Sequence, residues 1–141
     1  MTIRRLIEGR SAVHTCNGDA SVREAIAMLA QRRVGALPVL EHGEVAGIFS
    51  ERDVVRRLQE AGPAMLDGCV RDVMTSPAIT VSPDTSVLAA LSLMTRRRFR
   101  HLPVIDGGRM VGLVSIGDLV KHRIEQIEAE AEAMRAYIQT A

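Results

Sequence analysis

The sequence predicts a mixed α/β (α+β) protein built from two copies of one β-α-β-β-α unit and a long C-terminal helix. Residues 15–58 align with residues 80–123 at a constant offset of 65, without a gap, and 15 of the 44 positions are identical. Short apolar runs and helical periodicity recur in the same order within each copy. Since one repeat cannot cover both faces of a small sheet, we expect the two units to pack together about a pseudo-twofold axis.

Each unit is expected to open with a short strand and then a helix of about three turns. Thr15 and Thr80 stand at matching positions in the expected opening strands. Ser21 and Glu24 have the spacing of a capping box, which marks a helix start. The apolar positions at helical spacing are Val22, Ile26 and Leu29 in the first copy and Val87, Leu91 and Met94 in the second.

A β-hairpin and a second helix are expected to complete each unit. Apolar runs at 34–40 and 45–49 flank a glycine-containing turn, and the runs at 100–105 and 110–114 do the same. The runs are too apolar for one face of each sheet to be exposed to solvent, so we expect both faces to be buried. Second helices are expected from about Glu51 to Ala61 and from about Ile116 onward.

These elements suggest four stretches of chain. Residues 1–62 would hold an N-terminal segment and the first unit, which ends at Gly62-Pro63. Residues 63–76 would form the connection, 77–123 the second unit and 124–141 a helical extension.

The extension carries a heptad-like apolar seam. A continuous helix from Ile116 to Gln139 would reach roughly 36 Å at 1.5 Å per residue, which is further than a compact unit extends. We therefore expect it to pack against a second subunit in a homodimer, although folding back on its own domain is the alternative. The seam consists of Val120, Ile124, Ile127, Ala131, Met134 and Ile138.

Composition places the chain among ordinary globular proteins. Its 141 residues are 47% hydrophobic and 25% charged, and the formal net charge is +1. No apolar run approaches the roughly 20 residues of a membrane span, and residues 1–5 lack the apolar stretch of a secretory signal. We expect a cytoplasmic protein without a membrane partner. Cys16 and Cys69 are too far apart for a Cys-x-x-Cys motif, so both should be reduced thiols.

Other classes of function find little support. The basic run at 96–100 gives little support for nucleic-acid binding, because single-strand binders usually need several stacking aromatics and the whole chain has only three aromatic residues. The four histidines have no metal-ligand spacing, so no metal is expected. No nucleophile with an adjacent base and an orienting acid is evident, so catalysis is not expected either.

The most distinctive feature is a short sequence motif, here called the phrase, that occurs at 47–53 and again at 112–118. Each copy has a glycine, two apolar residues, a serine and an aspartate three residues later, at the junction of a strand and a helix. One interpretation is that the serine and the aspartate only cap the helix that follows. The alternative is a phosphate and sugar site, because helix starts offer amides and a positive dipole end, and a carboxylate accepts hydrogen bonds from hydroxyls. Basic residues are expected nearby, namely Arg33, Arg52, Arg98, Arg100 and His101.

At these residues the chain resembles tandem CBS domains, also called a Bateman module. The resemblance rests on the two phrases, on Leu37-Pro38-Val39 and Leu102-Pro103-Val104, and on the connecting stretch at 70–75. It covers about residues 10–124. It implies a non-catalytic regulatory module without a catalytic cofactor, which binds an adenosyl ligand such as AMP, ADP, ATP or NAD(H) in clefts between the units.

The resemblance also implies roles for individual residues. Asp53 and Asp118 would bind ribose hydroxyls, and Ser50 and Ser115 would contact phosphate. Arg100 and His101 match positions that reach phosphates, whereas the first copy has Gly35 and Ala36 there, so the clefts should differ in charge. The remaining expected ligand contacts are Thr15, Thr80, Cys16 and Val81 around adenine, with Arg52 and Ile116 beside the two serines.

We therefore expect a sensor that converts occupancy of its clefts into a change of shape read by a separate effector protein. S-adenosylmethionine is the alternative ligand. A structural or dimerisation module, whose phrases are only helix caps, is the alternative function.

Overall fold

The computed structural model describes residues 1–140, and within them each unit has the predicted order of helix, hairpin and second helix. The connection between the units contains two 3-10 turns, Pro63–Asp67 and Val70–Asp72. The elements are α1 (Ile3–Ile7), β1 (Cys16–Asn17), α2 (Val22–Arg32), β2 (Ala36–Glu41), β3 (Glu44–Ser50), α3 (Glu51–Ala61), α4 (Val87–Arg97), β4 (His101–Asp106), β5 (Arg109–Ser115) and α5 (Ile116–Thr140).

The two units repeat the same hairpin in the same register. β2 pairs antiparallel with β3, with Leu37 opposite Phe49, and β4 pairs antiparallel with β5, with Leu102 opposite Val114. All four of these side chains are fully buried. The mixed α/β prediction and the two repeated units are confirmed.

The opening strand has two residues in the first unit, and in the second unit it is reduced to one bridge. In the first unit β1 runs parallel to β2, and the amide of Gly18 extends the pairing to the carbonyl of Leu40 at 3.1 Å. In the second unit only Val81 pairs, with Val104, because Pro83 stands at the position of Gly18 and has no amide hydrogen to donate. The prediction that Thr15 and Thr80 lie within opening strands is wrong, because both precede the paired residues.

The predicted capping box at the start of α2 is confirmed. The amide of Glu24 donates to Ser21 Oγ at 3.0 Å, and the amide of Ser21 donates to Glu24 Oε2 at 3.4 Å. Ser86 caps α4 in the same way, through the amide of Ala89 at 3.0 Å. The acidic half is missing in the second unit because alanine occupies the position of Glu24.

Each unit has its own apolar core. The N-terminal segment, which precedes the first unit, completes the core of the second, and the connection, which precedes the second unit, completes the core of the first. Ile3 of α1 is fully buried in the core of the second unit, and Val70 of the connection is fully buried in the core of the first. Helix α1 is not predicted by the sequence analysis. Its burial means that the N-terminal segment packs as part of the second unit.

Backbone hydrogen bonds hold both crossing segments in equivalent places. The amide of Ile3 donates to the carbonyl of Thr85, and the amide of Val70 donates to that of Ala20, each at 2.9 Å. Thr85 and Ala20 are matched by the offset of 65. The two units therefore exchange equivalent segments.

The glycine that opens each repeated phrase is explained by these crossings. A Cβ atom on Gly47 would lie 2.6 Å from the carbonyl oxygen of Thr75, and one on Gly112 would lie 2.7 Å from a side-chain carbon of Ile7. Both distances are too short for a real contact. Glycine is therefore needed where a crossing segment runs over the second hairpin strand.

The C-terminal helix α5 leaves its own unit soon after it begins. Leu119 is its only fully buried side chain among the residues that the structure describes. None of the helices within residues 1–140 has the length and apolar character that a membrane span requires. The exposed apolar residues of α5 are Ile116, Val120, Ile124, Ile127, Met134, Tyr137 and Ile138.

We expect Ile3→Ala to lower the free energy of unfolding by about 2–5 kcal/mol, because it removes a fully buried side chain from the second core. Leu88→Ala on α4 is the matched control. Leu88 is 57% exposed, so its loss should stay within about 0.5 kcal/mol. Urea unfolding measures both, and equal losses would contradict the structural role of the N-terminal segment.

Candidate functional site

The aspartate of the first phrase lies at the start of α3 with its carboxylate fully hydrogen-bonded. Asp53 is 2% exposed. Its Oδ2 accepts from the amide of Ser50 at 2.9 Å and from the Ser50 hydroxyl at 3.1 Å. Its Oδ1 accepts from the hydroxyl of Thr75 at 2.9 Å and from Arg56 Nη2 at 2.8 Å. The phrase therefore caps the start of α3, and Thr75 of the connection supplies one of the four hydrogen-bond donors to Asp53.

The second phrase forms a reciprocal cap and an ion pair. The amide of Ser115 donates to Asp118 Oδ2 at 2.9 Å, and the amide of Asp118 donates to Ser115 Oγ at 3.1 Å. Arg10 Nη1 lies 3.3 Å from Oδ2 and Nη2 lies 3.2 Å from Oδ1. Partial burial alone would raise the pKa of Asp118, but the hydrogen bonds from Ser115 and Arg10 hold it below its usual value.

Both phrases therefore act as helix caps in this structure. The first amide of each helix is also in use, because Glu51 donates to the carbonyl of Gly35 at 3.1 Å and Ile116 donates to that of Arg100 at 2.8 Å. The expectation that these helix starts offer free amides is therefore wrong for their first residue. A role in ligand binding must rest on the cavities beside the caps.

A cavity of about 500 Å³, within the usual size of a small-molecule site, lies between the units. We call it the first cleft. Ser50 and Asp53 line it from the first unit, and Thr75 lines it from the connection. The second unit contributes the end of α4, the following turn and the start of β4, namely Arg97, Arg98, Phe99, Arg100 and His101, together with Ser115 and Ile116.

The first cleft is strongly basic. Only two carboxylates line it, those of Glu51 and Asp53, and Asp53 is already paired with Arg56. Such an excess of guanidinium groups in a concave site attracts anions, and phosphates above all. The arginines that line it are Arg52, Arg56, Arg97, Arg98 and Arg100.

His101 is the titratable group at the meeting point of the two units. A Cβ atom on Gly35 would lie 3.6 Å from the imidazole, which is an ordinary contact distance, so the ring of His101 lies directly beside this residue of the first unit. Burial and the charge of Arg100 lower the pKa of His101, and the neighbouring carboxylates of Asp118 and Glu51 oppose this in part.

A second cavity of about 380 Å³, the second cleft, lies beside the N-terminal segment. Arg10, His14 and Leu113 line it, together with Arg32 and Ala36. Neither Ser115 nor Asp118 is among its lining residues. The two cavities therefore differ in their access to the repeated phrase.

The structure brings most of the predicted site residues into one place and leaves others outside it. Ala36 lines the second cleft, and Thr80 and Val81 line a separate open groove on the second unit. Cys16 lies in the first core, where burial raises the pKa of its thiol to about 11, and Thr15 precedes it. A role for these residues around adenine stays a prediction. The residues gathered in the first cleft are Gly35, Ser50, Arg52, Asp53, Arg100, His101, Ser115 and Ile116.

Three residues that contact the two aspartates were not predicted from the sequence. Arg56 follows Asp53 by one helical turn, a spacing that could have indicated the ion pair. Thr75 and Arg10 occupy matching positions at the offset of 65, within the segments that cross between the units. Their contacts depend on that crossing. Within residues 1–140, no group of three or more histidine, cysteine or carboxylate side chains could hold a metal ion.

A comparison with known protein families gives the same two units. The profile of the CBS domain matches twice, at residues 5–60 and 70–125. The chain belongs to the CBS domain family. Both repeated phrases and both crossing segments fall largely within these two matches, so the resemblance seen in the sequence is confirmed.

Individual CBS proteins agree with this assignment. The CBS domain-containing protein CBSX3, mitochondrial, of Arabidopsis thaliana is 42% identical over 129 residues, which are 88% of this chain and 63% of that protein. A protein with CBS domains from Burkholderia ambifaria has a similar solved structure, with a TM-score of 0.81 and 37% identity over 89% of this chain and 95% of that one. CBSX2, solved in complex with AMP, has a TM-score of 0.75 and 27% identity over 90% and 98% of the two chains.

We expect His101 to titrate below its ordinary pKa of 6.5 in the free protein. Arg100→Gln should raise the pKa of His101, because it removes a neighbouring positive charge, and Asp118→Asn should lower it, because it removes a negative one. NMR titration of the imidazole protons measures both shifts. Shifts of the opposite sign would show that the ring lies outside this charge environment.

Proposed function

We propose that this CBS-domain chain is a non-catalytic regulatory module that binds an adenine nucleotide between its two units. Occupancy would change how the units sit against each other, and a separate effector protein would read that change. A ligand shifts such an equilibrium only if it binds the two arrangements with different affinity. A ligand between the units meets this condition, because its contacts depend on their relative position.

The observation that carries the proposal is the composition of the first cleft. The first unit supplies a serine and an aspartate that suit hydroxyl groups, and the second supplies a cluster of arginines with His101 that suits phosphates. A nucleotide has both kinds of group. Binding through both would therefore link the two units.

We propose AMP as the first ligand to test. CBSX2, a structural relative at 27% identity, was solved with AMP. ATP, ADP and NAD(H) share the adenosine and carry further phosphates, for which the remaining arginines of the cleft offer partners. S-adenosylmethionine has no phosphate, so the basic lining disfavours it.

The ribose would have to replace resident donors on Asp53. Arg56 is 53% exposed and joins Asp53 by one short bond, so its side chain is free to turn toward solvent or toward a bound phosphate. The hydroxyls of Ser50 and Thr75 are able to accept as well as donate. Exchange of a protein hydroxyl for a ribose hydroxyl on one carboxylate costs little net free energy.

A purely structural module is the second candidate function. Both phrases are already satisfied as helix caps, and α5 presents an exposed apolar seam. In that case the first cleft would be a basic gap without a ligand.

We expect AMP to stabilise the chain and to bind with its ribose on Asp53. A concentration 100 times the dissociation constant should add about 2.7 kcal/mol to the free energy of unfolding. Isothermal titration calorimetry should show binding that Asp53→Ala abolishes. A stabilisation by none of AMP, ATP, NADH and S-adenosylmethionine would favour the structural module.

The matched control is Asp84→Ala. Asp84 makes an exposed ion pair with Arg4 at 3.0 Å and lines none of the cavities described above. This variant should keep the affinity for AMP unchanged. An equal loss in both variants would place the binding elsewhere.

We also propose that the chain is a homodimer held by the seam of α5. Replacing Ile124 and Ile127, which are 50% and 48% exposed, by glutamate should convert a dimer into a monomer. The same number of changes on polar positions of the helix, Glu125→Gln and Glu128→Gln, should leave the dimer intact. Light scattering coupled to size exclusion gives the mass, and a monomeric unaltered protein would refute the seam as an interface.

A further inference from the structure

The internal repeat allows the surroundings of the two aspartates to be compared position by position. Ile48, Ser50, Asp53 and Thr75 of the first cleft correspond to Leu113, Ser115, Asp118 and Arg10 of the second. All four of the first set line the first cleft. Of the second set, only Leu113 and Arg10 line the second cleft.

Arg10 accounts for this difference. Its guanidinium contacts both oxygens of Asp118, at 3.3 and 3.2 Å, and also donates to the carbonyl oxygen of Leu113 at 3.3 Å. It therefore joins a cavity-lining residue to the aspartate and stands between the two. In the first cleft the corresponding position is Thr75, whose single hydroxyl reaches Asp53 at 2.9 Å without separating it from the cavity.

The bonding of the two aspartates differs in kind as well. Two of the four donors on Asp53 are hydroxyls, which a sugar hydroxyl replaces in kind. On Asp118 the resident group is a guanidinium that faces both carboxylate oxygens, with one charge-assisted hydrogen bond to Oδ2 at 3.3 Å and its other nitrogen 3.2 Å from Oδ1. A ribose diol has no charge with which to compete for that carboxylate.

The attachment of Arg10 limits its movement. Its amide donates to the carbonyl of Ile7 at 3.4 Å, and α1 just before it is fixed by the buried Ile3. The side chain of Arg56 is more exposed, at 53% against 40% for Arg10, and it is bonded to Asp53 alone, whereas Arg10 is also bonded to the carbonyl of Leu113.

We propose that Arg10 closes the ribose site of the second cleft, so that the chain binds one nucleotide, in the first cleft. Arg10 is then the residue that makes the two halves of the repeat unequal in ligand binding. This inference rests on the proposed function, because it concerns which cleft takes the nucleotide.

The decisive variant is Arg10→Thr, which gives the second cleft the residue that the first cleft has at the matching position. Isothermal titration calorimetry with AMP should give one site per chain for the unaltered protein and two for the variant. The affinity of the second cleft should rise by about tenfold or more, the factor that corresponds to one hydrogen bond to a charged group. Adding Asp118→Ala to Arg10→Thr should return the count to one.

Arg4→Thr is the matched control, because Arg4 makes an exposed ion pair with Asp84 and contacts neither cleft. It should keep one site. Thermal unfolding followed by circular dichroism confirms that each variant is folded.

The possible outcomes separate the two proposals. Two sites of similar affinity in the unaltered protein, or one site in both the unaltered protein and Arg10→Thr, would overturn the role of Arg10 and leave the nucleotide module standing. No binding of AMP by either protein would overturn both. One site in the unaltered protein and two in Arg10→Thr supports both.

Discussion

The exchange of segments between the two units is the constraint on which the rest of the structure depends. Ile3 closes the core of the second unit and Val70 closes that of the first, and each is fully buried. Because each unit is completed by chain that leads into the other, the units must lie side by side. The clefts are a consequence of this arrangement, since the crossing segments run along their edges.

The same segments connect the cores to the candidate site. Thr75 reaches Asp53 and Arg10 reaches Asp118, so each aspartate is bonded to a segment that is anchored in a core. On the proposed function, a nucleotide that binds Asp53 would loosen the contact between the start of α3 and the connection. Such a loosening would give the proposed module a physical route from ligand binding to a change in the packing of the units. That route would run through the connection and not through the repeated hairpins.

Sequence periodicity was sufficient for the elements within each unit. The bounds of α3 agree with the prediction, and the capping box of α2 is present because it depends on neighbouring residues only. The seam of α5 is exposed as expected, but nothing in a single chain shows what covers it. The reduction of the second opening strand to a single bridge at Val81 was not predicted, because it depends on one hydrogen bond that Pro83 cannot donate.

The candidate site was predictable only in part. The phrases identified Ser50, Asp53, Ser115 and Asp118 because each phrase is continuous in sequence. Arg10 could not be found in this way, because its contact with Asp118 spans more than a hundred residues and depends on where α1 packs. Which basic residues line which cleft could likewise not be predicted from the sequence. Gly35 shares a cavity with Arg100 and His101, although these residues come from matching places in different units.

A crystal structure of the chain grown with AMP tests the central claim most directly. The predicted result is a nucleotide between the units, with its ribose hydroxyls within hydrogen-bond distance of Asp53 and its phosphate among Arg97, Arg98, Arg100 and His101. Arg56 should have turned away from the carboxylate. An empty first cleft with all four donors still on Asp53, at AMP concentrations that saturate binding in solution, would contradict it.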